Sequence, residues 1–107
     1  MSQHDDDARI RRMLDYSREA LELSKGRSRE DLDTDRTVEL ALVRLIEIIG
    51  EAASRVSDEA RESKPEIPWS QIVSLRNRLI HGYDSVDLDI LWEIIQSDLP
   101  DLISKLK

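Results

Sequence analysis

The 107-residue sequence has no cysteine and no phenylalanine, and only three glycines, three prolines and two histidines. Without cysteine there is no disulfide framework and no thiolate metal site, and His4 and His81 alone are too few imidazoles for a zinc centre. Three glycines supply no phosphate-binding loop of the usual kinds, and the serines sit in no nucleophile elbow. The longest apolar runs are a few residues, which excludes a membrane-spanning helix. Nothing in the residues calls for a cofactor.

What is present is charge. Charged residues make up 36% of the chain against 39% apolar, and the formal net charge is -7. That balance is lean in core, so oligomerisation would help it, and the core must be aliphatic because the only aromatics are Tyr16, Trp69, Tyr83 and Trp92. The acidity argues against general binding to duplex DNA, which needs many neutralised phosphates, but leaves room for one focused phosphate contact. The length suits one domain spanning 1–107. The start, Met1 to Asp7, is polar and acidic, unlike a signal peptide, and the expectation is a cytoplasmic protein.

Helical periodicity runs through the chain. Ile10, Met13, Leu14, Ser17, Ala20 and Leu21 recur at helical spacing after three acids that suit a helix start, and Gly26 marks the stop. Ser28-x-x-Asp31 reads as the cap of a single helical turn. Val38, Leu42, Leu45, Ile46, Ile49, Ala52, Ala53 and Val56 form the strongest stripe, with Asp33 or Thr34 as its expected cap. Leu40 and Ile48 fall off that stripe, which points to a second contact surface such as a dimer partner. Gly50 lies inside the pattern, where glycine costs about 1 kcal/mol relative to alanine, and this reads as a close helix approach or as drift. Lys64-Pro65-Glu66-Ile67-Pro68 breaks the run, and Pro68 suits the first position of a third helix, which should continue to Gly82. A last helix carries Leu91, Ile94, Ile95, Leu99, Leu102, Ile103 and Leu106, with Pro100 expected to kink or split it near the preceding turn. No stretch alternates like a strand. The prediction is an all-α, antiparallel four-helix bundle with a short extra helical turn.

Chemistry concentrates in Arg76-Asn77-Arg78-Leu79-Ile80-His81-Gly82-Tyr83. From Ile67 to Tyr83 there is no acidic residue, so Arg76 and Arg78 form a local positive island where an anion could settle. On a straight helix Arg76 and His81 would point roughly 140° apart and stand about 7.5 Å apart along the axis. They converge only if the helix loosens near Gly82, or if a two-fold partner brings a second copy of each into a shared groove. Such a groove would hold a phosphodiester, with Arg76, and Arg78 in support, stabilising negative charge while His81 moves a proton. Read alone, the segment also fits a solvated helix end with a histidine near the carboxyl terminus. Glu47 and Glu51 are one turn apart and in principle could hold a divalent cation, yet they lie opposite the apolar stripe, where a solvated charged face is the simpler reading.

Arg76-Asn77-x-x-x-His81-x-Tyr83 resembles the signature of HEPN-domain ribonucleases, and His81-Gly82-Tyr83 resembles the extension found in the HepT toxin family. The likeness extends to Ile48-Ile49-Gly50-Glu51-Ala52, Ile67-Pro68-Trp69 and Asp87-Leu88-Asp89-Ile90-Leu91-Trp92. This resemblance implies a small helical homodimer that cleaves RNA without metal, with Arg76 and His81 as the catalytic pair and Asn77 as the assisting polar residue. It also implies an MNT-type nucleotidyltransferase antitoxin that transfers AMP from ATP to Tyr83, blocking the groove by charge and bulk. The alternative is a non-catalytic helical module that docks a nucleotidyltransferase or binds a nucleotide, with Arg76 and His81 merely holding an anion.

Overall fold

A computed structural model describes residues 3–81 and 85–107 of the chain. Helix α1 spans Gln3–Ser24 and ends at Gly26, whose φ of 78° is the left-handed geometry that glycine takes without strain. A single turn, α2 (Asp31–Thr34), leads into α3 (Arg36–Ser54). Asp33 and Thr34 are used up in α2, so the cap of α3 falls later than expected, on Asp35, whose carboxylate accepts from the Val38 amide at 3.1 Å. The Ser28 amide in turn donates to Asp31 at 2.8 Å, half of the anticipated capping box.

After α4 (Asp58–Glu62), the expected third helix proves to be two, α5 (Trp69–Val73) and α6 (Leu75–Leu79). Ser74 is the break. Its hydroxyl donates back to the Ser70 carbonyl at 2.7 Å, a local bond that competes with the helical ladder and bends it. The fourth column runs from α7 (Leu88–Glu93), capped by Asp87, through a π-helical turn at Ile94–Asp98 into α8 (Leu99–Leu106). Pro100 lies in the first turn of α8, so the disturbance expected from it appears as a widened turn just before it.

The long columns close into a four-cornered antiparallel bundle, α1 against α3 and α8, α3 against α5 and α6, and α6 against α7. Buried side chains form one cluster, led by Met13, Leu42, Ile46, Ile49, Leu79, Leu91, Ile94, Ile95 and Leu99. Gly50 is a close approach: a Cβ there would stand 3.1 Å from the Ile72 carbonyl oxygen on α5. Trp69 is buried with its indole N–H donating to the Lys64 carbonyl at 3.1 Å and the Arg61 guanidinium 5.9 Å from its ring centre. Leu40 remains 51% exposed, and Ile48 is half-buried, lining a groove between α1 and α3. Among the described residues no helix is long and apolar enough to cross a membrane.

The bundle's lower end is tied by a buried carboxylate. Asp6 accepts from the Ser57 hydroxyl at 2.7 Å and from the Ser57 amide at 2.9 Å, joining α1 to the turn after α3. These bonds, the hydroxyl first and the amide second, hold its carboxyl below the ordinary carboxylate range. Because the folded value is depressed, the stability it contributes is present above the unfolded value of about 3.9 and is lost as pH falls through the lower folded value. Thermal melts between pH 7 and pH 2.5 should therefore show Asp6→Asn losing less stability on acidification than the parent. Parallel curves for the two proteins would refute the linkage.

Candidate active site

The motif lies where α6 stops. Its helix ends at Leu79, three residues earlier than the sequence suggested, and Ile80 turns extended to pair with Val86 in an isolated antiparallel bridge. The His81 amide donates to the Ser85 carbonyl at 2.7 Å and the Asp87 amide to the Leu79 carbonyl at 2.9 Å. Arg76 therefore projects from a helix while His81 lies beyond its end, and the 140° separation of a straight helix does not apply to them.

Arg76, Arg78 and His81 each face a carboxylate supplied from elsewhere. Arg76 Nε donates to Glu47 Oε2 on α3 at 2.9 Å, with the arginine side chain 60% and the glutamate 24% exposed. Arg78 Nη1 donates to Asp98 Oδ2 in the π turn at 2.6 Å, both side chains about one-third exposed. Nε2 of His81 stands 3.8 Å from Asp87 Oδ2, beyond hydrogen-bond length. The positive island read from the sequence is thus compensated through space. Glu47 is corrected from a solvated residue to the partner of Arg76, while Glu51 pairs with Arg55 on the surface at 3.2 Å.

Arg76, Asn77 and His81 are all exposed at this corner. The structure brings Arg76 against α3 and His81 against the start of α7, and no bond joins the two to each other. Tyr83, the expected AMP acceptor, lies outside the described residues, as does Gly82, the expected helix stop. Glu47, Asp98 and Asp87 are the residues that sequence reasoning missed as neighbours of the motif. For Asp87 a signal existed, since it caps α7 by accepting from the Ile90 amide at 3.0 Å. Among the described residues no three His, Cys, Asp or Glu side chains are grouped to hold a metal.

Comparison with known proteins gives the chain a family. The Ribonuclease HepT-like family matches residues 13–107, a span that includes the whole of α3, α6 and α7. The chain belongs to the HepT-like ribonuclease family. Among its HepT-like relatives, a Methanocaldococcus jannaschii protein named as a candidate RNase is 33% identical over 95% of this chain and 94% of its own length. A Thermococcus cleftensis protein named "Probable ribonuclease HepT" is 37% identical over 81% of this chain and 83% of its own. Another candidate RNase, from Caldanaerobacter subterraneus subsp. tengcongensis, is 40% identical over 81% of this chain and 78% of its own. No solved structure matches the chain.

In this HepT-like chain Asp98 is the tether that holds α6 against the fourth column. Asp98→Ala leaves a half-buried guanidinium without its charged partner, and about 1 kcal/mol of stability should be lost once solvent screening is allowed for. Urea unfolding would register it as a lower midpoint at unchanged slope. An unaltered midpoint would mean that the pair contributes nothing.

Proposed function

We propose that this protein is the RNA-cleaving toxin of a toxin–antitoxin pair, acting in the cytoplasm, with Arg76 and His81 as the catalytic pair, Asn77 assisting, and the reaction independent of metal. The observation that carries this reading is the pair of exposed, chemically competent side chains, Arg76 and His81, at one corner of a HepT-like fold. RNA contains its own nucleophile. When the 2′-hydroxyl attacks the adjacent phosphorus, the P–O5′ bond breaks, a proton leaves the 2′ oxygen and another is needed at the departing 5′ oxygen. A guanidinium stabilises the added negative charge on the phosphoryl oxygens, and an imidazole moves the protons.

One imidazole cannot act as base and acid in the same step, and the motif contributes one per chain. A two-fold homodimer supplies a second copy of His81 to the groove, one taking the 2′ proton and the other giving a proton to the 5′ oxygen. Leu40 and Val73, at 51% and 37% exposed, are the large hydrophobic side chains left open among the described residues. Leu40 lies two helical turns before Glu47 on the same side of α3, which suits an apolar contact beside Arg76. The surface pair Arg76–Glu47 is weak enough to yield to a phosphate.

Purified, unmodified protein should degrade RNA in the presence of EDTA, and Arg76→Ala and His81→Ala should each lower the rate by about 100-fold or more with the far-UV circular dichroism spectrum unchanged. If the parent shows no turnover, the alternative holds: a helical module that binds an anion and docks a nucleotidyltransferase. Full activity in either variant would remove that residue from the catalytic pair.

In this reading, neutralisation acts on Tyr83. An MNT-type nucleotidyltransferase antitoxin transfers AMP from ATP to the Tyr83 hydroxyl, which attacks the α-phosphate and releases pyrophosphate. The added nucleotide and its charge then stand two residues from His81. Tyr83→Phe removes only the acceptor oxygen, so it should keep much of the RNA cleavage and escape silencing on co-expression with the cognate transferase. Intact mass and growth assays decide it, and a Phe variant that still gains AMP or is silenced like the parent rules Tyr83 out.

A further inference from the structure

Charge is also distributed unevenly in the groove between α1 and α3. This groove has a volume of about 390 Å³, with Asp5, Arg9 and Arg12 on one wall and Arg44, Glu51 and Arg55 on the other. Four guanidiniums face two carboxylates there, although the chain as a whole has 16 basic and 23 acidic residues. Arg55 is engaged by Glu51 at 3.2 Å. Arg12 has the Tyr16 ring, 5.8 Å away, in place of a carboxylate, and Arg44 has no ion-pair, hydrogen-bond or ring partner among the described residues. Two uncompensated cations from different helices on one groove repel each other, and an anion between them removes that cost.

Position links the groove to the motif. Arg44 precedes Glu47 by three residues, about 4.5 Å along α3 and 60° around it, and Glu47 holds Arg76. We propose that the groove is a phosphate-binding track for single-stranded RNA, in which Arg12 and Arg44 grip backbone phosphates of a strand whose neighbouring linkage lies at Arg76 and His81. The proposal rests on the ribonuclease reading above. Guanidinium forks match phosphate oxygens. Ile48 and Ala52 offer only a small apolar floor, too little to anchor a protein partner. Acidic surface on the rest of the molecule confines the attraction to one strand instead of a duplex.

The test uses the full chain with Arg12→Gln and Arg44→Gln combined, beside a control of equal charge change, Arg11→Gln with Lys105→Gln, taken from exposed surface pairs. In cleavage of a labelled single-stranded RNA, the groove variant should raise KM at least about tenfold with kcat within about twofold, and the control should not. Added to His81→Ala protein, the same two changes should weaken RNA binding by fluorescence polarisation. They should also flatten the slope of log K against log salt by about 1.4, the value for two lost single-strand contacts. A groove variant that matches the control in KM and in slope overturns the track, and if the parent still cleaves RNA the ribonuclease reading survives that result. RNA binding that is unchanged while capture of the cognate nucleotidyltransferase is lost would assign the groove to a protein partner and likewise overturn it. A parent that neither binds nor cleaves RNA defeats the underlying reading itself.

Discussion

The close approach of α5 to α3 at Gly50 positions everything that follows in the chain. With 3.1 Å between an added Cβ and the Ile72 carbonyl oxygen, no side chain fits there without moving backbone, so glycine sets the distance between the two columns. That distance carries α6 along the flank of α3 and lets the Arg76 guanidinium reach Glu47. The helical cost of glycine inside α3 is accepted in exchange for the location of the motif.

Three carboxylates from three separate elements then hold the motif, and they do not hold it equally. Arg76 and Glu47 form a surface pair that water and salt weaken, so the arginine is restrained yet exchangeable. Arg78 and Asp98 are more enclosed and share a shorter bond, which suits a fastening between columns more than a group that greets a ligand. Asp87 faces His81 while capping α7, so the element that follows the motif also keeps a negative charge beside its imidazole. A site built this way keeps its side chains in place without burying them, and a phosphate arriving at Arg76 has only a solvent-screened surface pair to displace.

Much of this was legible in one dimension. The apolar stripe of α3, the stop at Gly26, the break around Pro65 and Pro68 and the disturbance ahead of Pro100 all follow from residues that act on their own neighbours. The division at Ser74 was not legible, because serine is an ordinary helix resident until its hydroxyl turns back to the Ser70 carbonyl. Neither was the early end of α6 at Leu79, which depends on Ile80 pairing with Val86. The partners of the site were hidden for a related reason: Glu47 and Asp98 stand 29 and 20 residues from their arginines, and only the packing of the columns brings them together. Periodicity reports which face of a helix is apolar. It carries no information about which charged face meets which.

The π turn makes α7 and α8 the place where this bundle tolerates a change of length. A π turn holds one residue more than an α turn, so removing one residue between Ile94 and Asp98 restores ordinary pitch while Leu91 and Leu102 keep facing the core. The same deletion in α3 would rotate every later side chain of that helix by about 100° and turn Ile49 and Ala53 away from their neighbours. Pro100 limits the freedom, because in a regular helix its ring would clash with the Gln96 carbonyl. Shortening the turn is therefore coupled to position 100, where a regular helix calls for a residue other than proline.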